Sequence, residues 1–372
     1  MNASNPIALA AGGTGGHMFP AEALASELKR RGWPILLVTD ERGARFAERF
    51  PANDRVMISA ASPSIGGPVA KAAAAVSLAG GLFTALTEFR KRRIAGAVGF
   101  GGYPSFPSMK AASLLGVPYG VHEQNAVLGR ANRMVAVGAE FLAHGFSLLE
   151  RTPEKARSHS IEIGNPVRDN VIDAARESFS LPDKGGAVSV LIFGGSQGAS
   201  LISRVVPAAI AMVPDDLRSR LRITQQARES EMTAVKEAYA AAGVRAEVAP
   251  FFSDLPARLA KSHLVIARAG ASTVTELAMI GRPSVLVPLA IAMDDHQAAN
   301  ARSLADRGAA IVIAEKEFTP EKLRAQLYDL VSDPHLLGHM ASQAKGAVRS
   351  KAAGTLADLV EKMVRDRVRA AA

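Results

Sequence analysis

Two glycine-rich turns of similar design lie about half a chain apart. The first is AAGGTGGH at 10–17, and the second is GGSQGA at 194–199. Each follows a short apolar run that predicts a buried strand, and each begins a segment with helical spacing. Glycine lets the backbone turn sharply beside a ligand, and the first N–H groups of a helix attract anions. The repeated turn predicts two similar lobes that face one anionic ligand.

Strand-like apolar runs alternate with helical stretches along the chain, which predicts parallel sheets covered by helices on both faces. The predicted strands are 7–11, 35–39, 55–59, 97–101, 117–122, 141–146, 188–193, 221–225, 246–251, 264–267, 284–288 and 310–314. A break at 164–187 separates two doubly wound lobes, 1–165 and 166–345, with a ligand expected in the cleft between them. The helical segment 346–372 either caps the second lobe or crosses back to the first.

Composition excludes several classes of protein. The chain has no cysteine among 372 residues, which excludes disulfides, thiolate metal sites and a cysteine nucleophile. Its N-terminus shows no basic and apolar export signal, so we expect a cytoplasmic location. The net charge of +9 favours an anionic partner, but one tryptophan and 5% aromatic residues provide no platform for nucleic acid. We therefore expect a phosphorylated substrate or an anionic membrane surface, and no nucleic acid.

The helical stretch 68–93 combines an apolar stripe with a basic end, RKRR at 90–93. The stripe contains Leu78, Leu82, Leu86 and Phe89, whereas Val76 and Phe83 point elsewhere. Either this is an ordinary packed helix, or it makes a peripheral contact with an anionic membrane. Two glycines interrupt the apolar run, which is shorter than the roughly 20 residues that a bilayer requires. We expect it not to span.

A turn of small residues opens another helix at 270–277, after a predicted strand. There Ala271, Ser272 and Thr273 offer donors to a diphosphate, and Glu276 can accept both ribose hydroxyls. The alternative is that Ser272 or Thr273 is only a helix cap and Glu276 a surface acid.

Three other chemistries fit the sequence poorly. A dinucleotide fingerprint would need a glycine in place of Met18, although Asp40 could serve as its acid. A serine hydrolase would need Gly-x-Ser-x-Gly, and Ser196 lies one register away from that pattern. Asp294 and Asp295 suggest a divalent cation, but adjacent side chains on one loop rarely complete an oxygen shell. We expect no metal.

Taken in order, these segments resemble the MurG family of glycosyltransferases. The motifs that carry the resemblance are GGTGGH at 12–17, GGYPSFP at 101–107, HEQNA at 122–126, GNPVR at 164–168, GGSQGA at 194–199, GASTVTEL at 270–277 and DDHQAANA at 294–301. The resemblance implies an α/β fold of the GT-B type, with two Rossmann-like, doubly wound parallel-sheet lobes and an interlobe cleft. Two departures leave the acceptor geometry open: Pro104 and Phe106 replace smaller residues, and His296 replaces a glutamine of some members.

The resemblance also implies a reaction. It is the inverting transfer of GlcNAc from UDP-GlcNAc to the 4-hydroxyl of MurNAc in undecaprenyl-diphosphate-MurNAc-pentapeptide, a step of peptidoglycan synthesis. It implies no cofactor, and a peripheral position on the cytoplasmic face of the cell membrane. The alternatives are another GT-B enzyme, such as a glycolipid synthase or a UDP-sugar epimerase, and a nonenzymatic module that binds a nucleotide sugar or a lipid diphosphate.

Carried over residue by residue, the resemblance assigns the site. The donor contacts are Thr14, Gly15, Gly16, Asn125, Arg168, Ser196, Phe252, Ala271, Ser272, Thr273, Val274, Thr275, Glu276 and Gln297. The acceptor-side candidates are Tyr103, Ser105 and Glu123. Helix N-termini, with Ser196 and Arg168, would stabilise the departing UDP. His17 is the candidate general base, and Glu123 is the alternative.

Overall fold

A computed structural model of the chain describes residues 5–48, 50–59, 67–194, 200–347 and 351–371. The chain forms two compact units. The first comprises Met1–Arg168 and Arg349–Ala372, and the second comprises Asp169–Val348. Each unit contains one parallel sheet with helices packed on it. The predicted architecture of two doubly wound α/β lobes is confirmed.

The first unit is built on a seven-stranded sheet. Its strands are β1 (Ile7–Ala10), β2 (Ile35–Thr39), β3 (Asp54–Met57), β4 (Gly96–Gly99), β5 (Tyr119–Glu123), β6 (Leu142–His144) and β7 (Ser160–Glu162). Its helices are α1 (Gly15–Arg30), α2 (Glu41–Ala47), α3 (Pro68–Arg92), α4 (Ser105–Leu114), α5 (Arg130–Ala136), α6 (Glu154–Arg157) and α16 (Ala352–Ala371). The strand order is β3-β2-β1-β4-β5-β6-β7, and all neighbours are parallel.

The central strand β1 shows why its sequence is apolar throughout. Ile7 and Leu9 pack into a cluster with α1 and α16, whereas Ala8 and Ala10 pack into a cluster with α3 and α4. All four residues are fully buried. A parallel strand covered on both faces has no solvent-facing position, so its sequence does not alternate between apolar and polar.

The second unit is built on a six-stranded parallel sheet. Its strands are β8 (Val188–Phe193), β9 (Leu221–Gln226), β10 (Arg245–Ala249), β11 (Leu264–Ala267), β12 (Ser284–Leu286) and β13 (Ala310–Val312). Its helices are α7 (Asp169–Ala174), α8 (Ser200–Ala211), α9 (Asp215–Arg218), α10 (Met232–Ala241), α11 (Leu255–Lys261), α12 (Ala271–Ile280), α13 (His296–Ala305), α14 (Pro320–Ser332) and α15 (Pro334–Lys345). The strand order is β10-β9-β8-β11-β12-β13.

Each sheet has one topological switch point, where the strand order reverses. It lies between β1 and β4 in the first unit and between β8 and β11 in the second. Open parallel sheets bind ligands outside the carboxyl ends of the strands at this point. In the first unit the turns at 12–16 and 101–104 follow the two switch-point strands. In the second unit Gly194 follows β8, and the segment 270–277 follows β11.

The edges of the first sheet were harder to predict than its centre. Strand β7 was missed, because Ser160, Ile161 and Glu162 form a short, partly exposed edge strand without an apolar run.

Several strands, in both sheets, were predicted to extend further than they do. The run 284–288 continues two residues past β12, since an apolar sequence does not indicate where ladder pairing stops.

Helix α3 is 25 residues long and continues through both glycines of its middle. A Cβ at Gly81 would clash with the Ser59 carbonyl oxygen, so glycine permits this close packing. By length and composition alone, Ala72–Arg92 would suffice to cross a bilayer, a test that core helices of globular units also pass. Ala85 and Phe89 are nevertheless buried in the core, as in a helix that packs on a globular unit.

Helix α16 returns to the first unit and packs on α1 and β4. Leu356 is fully buried in that contact. The indole Nε1 of Trp33 donates to Glu361 at 3.0 Å, and Arg31 Nη1 donates to Asp358 at 2.6 Å. These contacts hold α16 on the first unit.

Candidate active site

The first glycine-rich turn, between β1 and α1, is anchored by Asp40. The buried Asp40 carboxylate accepts from the backbone N–H of Gly13 at 3.0 Å and of Gly43 at 2.9 Å. Gly13 has a φ of +82°, which favours glycine. Asp40 thus holds the turn and begins α2, instead of presenting its carboxylate to a ribose as a dinucleotide site requires.

The turn leads directly into the N-terminus of α1. Thr14 is the N-cap residue, but its side chain makes no capping hydrogen bond. Gly15 and Gly16 follow it, and their N–H groups lie at the positive end of the α1 dipole. The first turn of α1 is therefore suited to an anionic group.

A second glycine pair follows β4 and packs against the first turn. A Cβ at Gly102 would lie 2.7 Å from the Gly12 carbonyl oxygen. The Ser105 hydroxyl donates to the Ala10 carbonyl at 2.8 Å and accepts from the Gly101 N–H at 2.9 Å. Ser105 is fully buried and links the two turns through these hydrogen bonds. The neighbouring acceptor-side candidate, Tyr103, is half-buried.

The His17 ring is oriented by the first turn. Its Nδ1 lies 3.1 Å from the Gly12 carbonyl oxygen, and a carbonyl can only accept. Nδ1 therefore carries the proton, and Nε2 carries the lone pair of the neutral ring. A Cβ at Gly101 would lie 3.2 Å from His17 Nε2 and 3.3 Å from Asn132 Nδ2. Glycine at position 101 thus allows these two side chains to lie side by side.

Glu123 organises the loop that follows β5. Its Oε1 accepts from the Asn125 backbone N–H and from Asn125 Nδ2, both at 3.0 Å. Its Oε2 accepts from the Gly129 N–H at 2.9 Å and from Asn132 Nδ2 at 2.8 Å. A carboxylate has about four acceptor positions, so the fold uses them all. Glu123 is 2% exposed, and it fixes the half-buried Asn125 in place.

A buried network joins this loop to the GNPVR segment. His122 Nε2 donates to the Gly164 carbonyl at 3.2 Å, and Gln124 Nε2 donates to His122 Nδ1 at 3.0 Å. Asn165 Nδ2 donates to the Gln124 carbonyl at 2.9 Å. Complete burial lowers the pKa of His122 to about 4, against the raising effect of its bond to Gly164. His122 is therefore a neutral structural residue that aligns two site segments.

Arg168 ends the GNPVR segment and is half-buried. Its guanidinium carbon lies 3.9 Å from the ring centre of Phe19, on the first turns of α1. The structure therefore brings Arg168 to the same side of the first unit as Gly15 and Gly16.

In the second unit, the glycine-rich turn is described only at Gly194, and Ser196 lies outside the described residues. Helix α12 follows β11, the other switch-point strand. Its N-cap residue is Gly270, and no side chain caps it. Ser272 and Thr273 are half-buried in its first turn and do not cap it.

The other residues of α12 that were predicted to contact UDP-GlcNAc are buried. Ala271 is 5%, Val274 1% and Thr275 4% exposed. Glu276 is 6% exposed, so it is not the surface acid that the simpler interpretation required.

The loop after β12 is braced by a partly buried ion pair. Arg268 Nη2 donates to Glu315 at 2.8 Å, and the other Glu315 oxygen accepts from the Ala290 N–H at 2.6 Å. Burial raises the pKa of Glu315, but these two hydrogen bonds and the Arg268 charge hold it below its usual value. Gln297 Oε1 accepts from the Leu289 N–H at 3.0 Å. Gln297 is therefore fixed by its own loop.

Backbone strain is concentrated beside Gln297. Asp294 and Asp295 have φ values of 57° and 54°, in the left-handed region that few non-glycine residues adopt. Such strain often marks binding loops. Across the described residues, no three His, Asp or Glu side chains come together in a way that suits a metal ion.

Phe252, one of the predicted contacts to UDP-GlcNAc, is buried. It is 7% exposed, and the Arg258 guanidinium carbon lies 4.2 Å from its ring centre. Its neighbour Phe251 is 69% exposed. Of the two rings, Phe251 is the one that solvent can reach.

Asn132, Arg268 and Glu315 were not singled out from the sequence. Asn132 lies inside α5 without a motif, and Arg268 and Glu315 are 47 positions apart. A charged residue directly after a buried strand, as Arg268 is after β11, was the one available signal.

Comparisons with known proteins agree with this geometry. Residues 7–141 match the glycosyltransferase family 28 N-terminal domain, and residues 189–356 match the family 28 C-terminal domain. A crystal structure of Acinetobacter baumannii MurG is 30% identical, with a TM-score of 0.76 over 96% of this chain and 99% of that one. The glycosyltransferase of kitacinnamycin, 19% identical with a TM-score of 0.70 over 97% and 99%, shares the fold.

Curated relatives match along almost the whole chain. The chain is 49% identical to a protein of Methylorubrum populi, over 97% of this chain and 98% of the relative. It is 47% identical to one of Maricaulis maris, over 96% and 97%. Both are named UDP-N-acetylglucosamine–N-acetylmuramyl-(pentapeptide) pyrophosphoryl-undecaprenol N-acetylglucosamine transferase. The chain therefore belongs to the MurG family of N-acetylglucosaminyltransferases, within glycosyltransferase family 28.

Proposed function

We infer that the chain transfers GlcNAc from UDP-GlcNAc to the MurNAc pentapeptide of undecaprenyl diphosphate, in peptidoglycan synthesis. The observation that carries this function is the near full-length identity to transferases of that name. The site motifs at both switch points support it. The alternatives, another GT-B enzyme or a nonenzymatic binding module, are not favoured.

The donor side of the proposed reaction uses the second unit and Arg168. The uncapped N-terminus of α12 offers N–H groups to the diphosphate, and Ser272 and Thr273 lie beside it. The buried Glu276 would accept the ribose hydroxyls. The side-chain oxygen of Gln297 accepts a hydrogen bond from the Leu289 N–H, so its amide nitrogen is the atom that would bind a sugar hydroxyl.

The acceptor side of the proposed reaction uses His17. Its Nε2 takes the proton of the MurNAc 4-hydroxyl while that oxygen attacks the anomeric carbon of GlcNAc. The bond from this carbon to the UDP oxygen breaks on the opposite face, so the configuration inverts. Helix N-termini and Arg168 stabilise the charge that develops on UDP. Glu123 is less suited as the base, because its two carboxylate oxygens already accept four hydrogen bonds from neighbouring residues.

We further propose that α3 docks the enzyme on the cytoplasmic face of the cell membrane, as a peripheral protein. Val69, Val76 and Phe83 are 84%, 73% and 72% exposed, and their spacing of seven residues places them on one stripe. Arg90 continues the stripe, and Lys91 follows it, both exposed. Apolar side chains with adjacent cations fit an anionic headgroup region.

Vesicle sedimentation tests the membrane proposal. Wild-type protein should sediment with anionic vesicles more than with neutral ones, and salt should weaken the binding. Phe83→Asp should release most of the protein. The matched control is Met212→Asp, an exposed apolar residue of the second unit. Equal loss in both variants, or no preference for anionic vesicles, would contradict the proposal.

UDP release tests the reaction itself. The chain is incubated with UDP-GlcNAc, with and without a short-chain analogue of the lipid-linked acceptor, in EDTA and in magnesium. We expect release that depends on the acceptor and persists in EDTA. Tight donor binding without release under either condition would contradict the transferase and favour a binding module.

A further inference from the structure

The Phe19 ring contacts two positive groups of the first unit. Phe19 lies one helical turn after Gly15, and a Cβ on Gly15 would lie 2.9 Å from ring atom Cε2. The ring therefore packs against Gly15 in the first turn of α1. The guanidinium carbon of Arg168 lies 3.9 Å from the centre of the same ring. One aromatic side chain thus links Arg168 to the positive end of α1.

The orientation of this ring is fixed from α2. The Phe46 ring meets the Phe19 ring edge to face, with centroids 5.7 Å apart and an interplanar angle of 87°. The Arg45 guanidinium carbon in turn lies 5.3 Å from the Phe46 ring centre. Edge-to-face pairs favour one relative orientation of the rings. The plane on which Arg168 rests is therefore defined by the packing of α1 on α2.

A guanidinium held over a ring is restricted in a way that suits oxyanion binding. The cation–π attraction acts through its face, so its N–H donors remain directed outward in the guanidinium plane. Those donors match phosphate oxygens with bidentate geometry. An unrestrained arginine would lose more side-chain entropy on binding.

We propose that Phe19 is a positioning residue that holds Arg168 for recognition of a diphosphate. The diphosphate is either that of UDP or that of the lipid-linked acceptor. This inference rests on the proposed function, because it concerns how the same site binds its substrates. Phe19 itself does not contact the reacting atoms.

The test is a double-mutant cycle on the full chain, with UDP affinity measured by calorimetry. If Arg168 binds the diphosphate of UDP, Phe19→Leu should weaken UDP binding about 3- to 30-fold, the factor that corresponds to one cation–π contact. Phe19→Tyr should recover most of that loss, because it keeps the aromatic face. In the Arg168→Ala background, Phe19→Leu should change the affinity less than about twofold, because the group it positions is gone.

Phe46→Leu is the matched control. It also removes a ring from this cluster, but it does not remove the contact with Arg168. Because Phe46 orients the Phe19 ring without contacting Arg168, we expect F46L to weaken UDP binding less than F19L does, with thermal unfolding used to confirm that all variants fold. Equal losses for F19L and F46L would mean general packing, and full additivity of F19L with R168A would mean independent roles. Either result overturns the inference.

The two sources of diphosphate are separated by a second arm. If Arg168 binds the acceptor, F19L should raise the KM for the short-chain acceptor analogue and leave the UDP affinity unchanged. If it binds UDP, the calorimetric effect should dominate. Unchanged values in both arms overturn the inference while wild-type turnover still supports the proposed function. A wild-type chain that neither binds UDP nor turns over would contradict both.

Discussion

At His17, one hydrogen bond decides which ring nitrogen can take a proton. Because Nδ1 donates to the Gly12 carbonyl, Nε2 is the basic atom, and it lies beside the glycine turn at 101. His17→Ala should lower kcat about 10²- to 10⁴-fold, with UDP affinity changed only slightly. Steady-state kinetics and calorimetry check the two values. A loss of turnover below about tenfold would rule out His17 as the base.

Glu123 gives a contrasting prediction, because it holds the fold as well as the site. Glu123→Gln replaces an acceptor oxygen by an NH₂ group that must face a donor. The variant should lose about 1–3 kcal/mol of unfolding free energy, the cost of a mispaired buried group. Asn132→Ala should lose less, since one of the four bonds is removed. Denaturant unfolding distinguishes this role from catalysis: a base would lose turnover without losing stability.

His122 predicts a specific dependence of stability on pH. Its pKa is lowered to about 4 in the folded chain, mainly by burial, and is about 6.5 when unfolded. As the pH falls, the unfolded chain takes up the proton first. Stability should therefore be lost between about pH 6.5 and 4, up to about 3 kcal/mol, and should level off below that.

The check is urea unfolding of wild type and His122→Gln across this pH range. Glutamine at 122 cannot take up the proton, so the difference between the two proteins should shrink as the pH falls. If the wild type and H122Q show parallel pH dependence, His122 is not the group responsible.

At the scale of elements, the contacts of α16 allow apolar and ionic contributions to stability to be measured separately. Leu356 of α16 is fully buried, whereas Asp358 on the same helix is 69% exposed in its ion pair with Arg31. Leu356→Ala should cost about 2–5 kcal/mol. Asp358→Ala should cost less than about 1 kcal/mol. Trp33, the one tryptophan of the chain, contacts Glu361 and reports the docking of α16 by its fluorescence. Equal costs for both variants would contradict this division.

Elements differed in how well their sequences predicted them. The central strands and the helix starts after glycine turns were predictable, because burial on both faces and a phosphate turn each need particular residue types. The edge strand β7 was not, because pairing with β6 stabilises it without an apolar sequence. The helix predicted over 68–93 is observed as the continuous α3, although a glycine pair usually weakens a helix. Here close packing against Ser59 favours Gly81.

At the scale of the whole molecule, motif order predicted the family and the fold, while the supporting contacts required the structure. The sequence indicated that Glu123, Gln297 and Arg168 belong to the site. It could not indicate that Asn132 completes the Glu123 network, or that Glu315 braces the Gln297 loop. Those partners are distant in sequence, and nothing local marks them. Asp40 shows the converse: its position suggested a ribose ligand, but it anchors Gly13.

The central claim is that this chain makes one inverted glycosidic bond between GlcNAc and the MurNAc of a lipid-linked acceptor. The most direct test is NMR of the product formed from UDP-GlcNAc labelled with ¹³C at the anomeric carbon. We predict a β-linked disaccharide on the short-chain acceptor analogue, formed in EDTA as well as in magnesium. An α-linked product, free GlcNAc, or an epimerised nucleotide sugar without transfer would contradict the account.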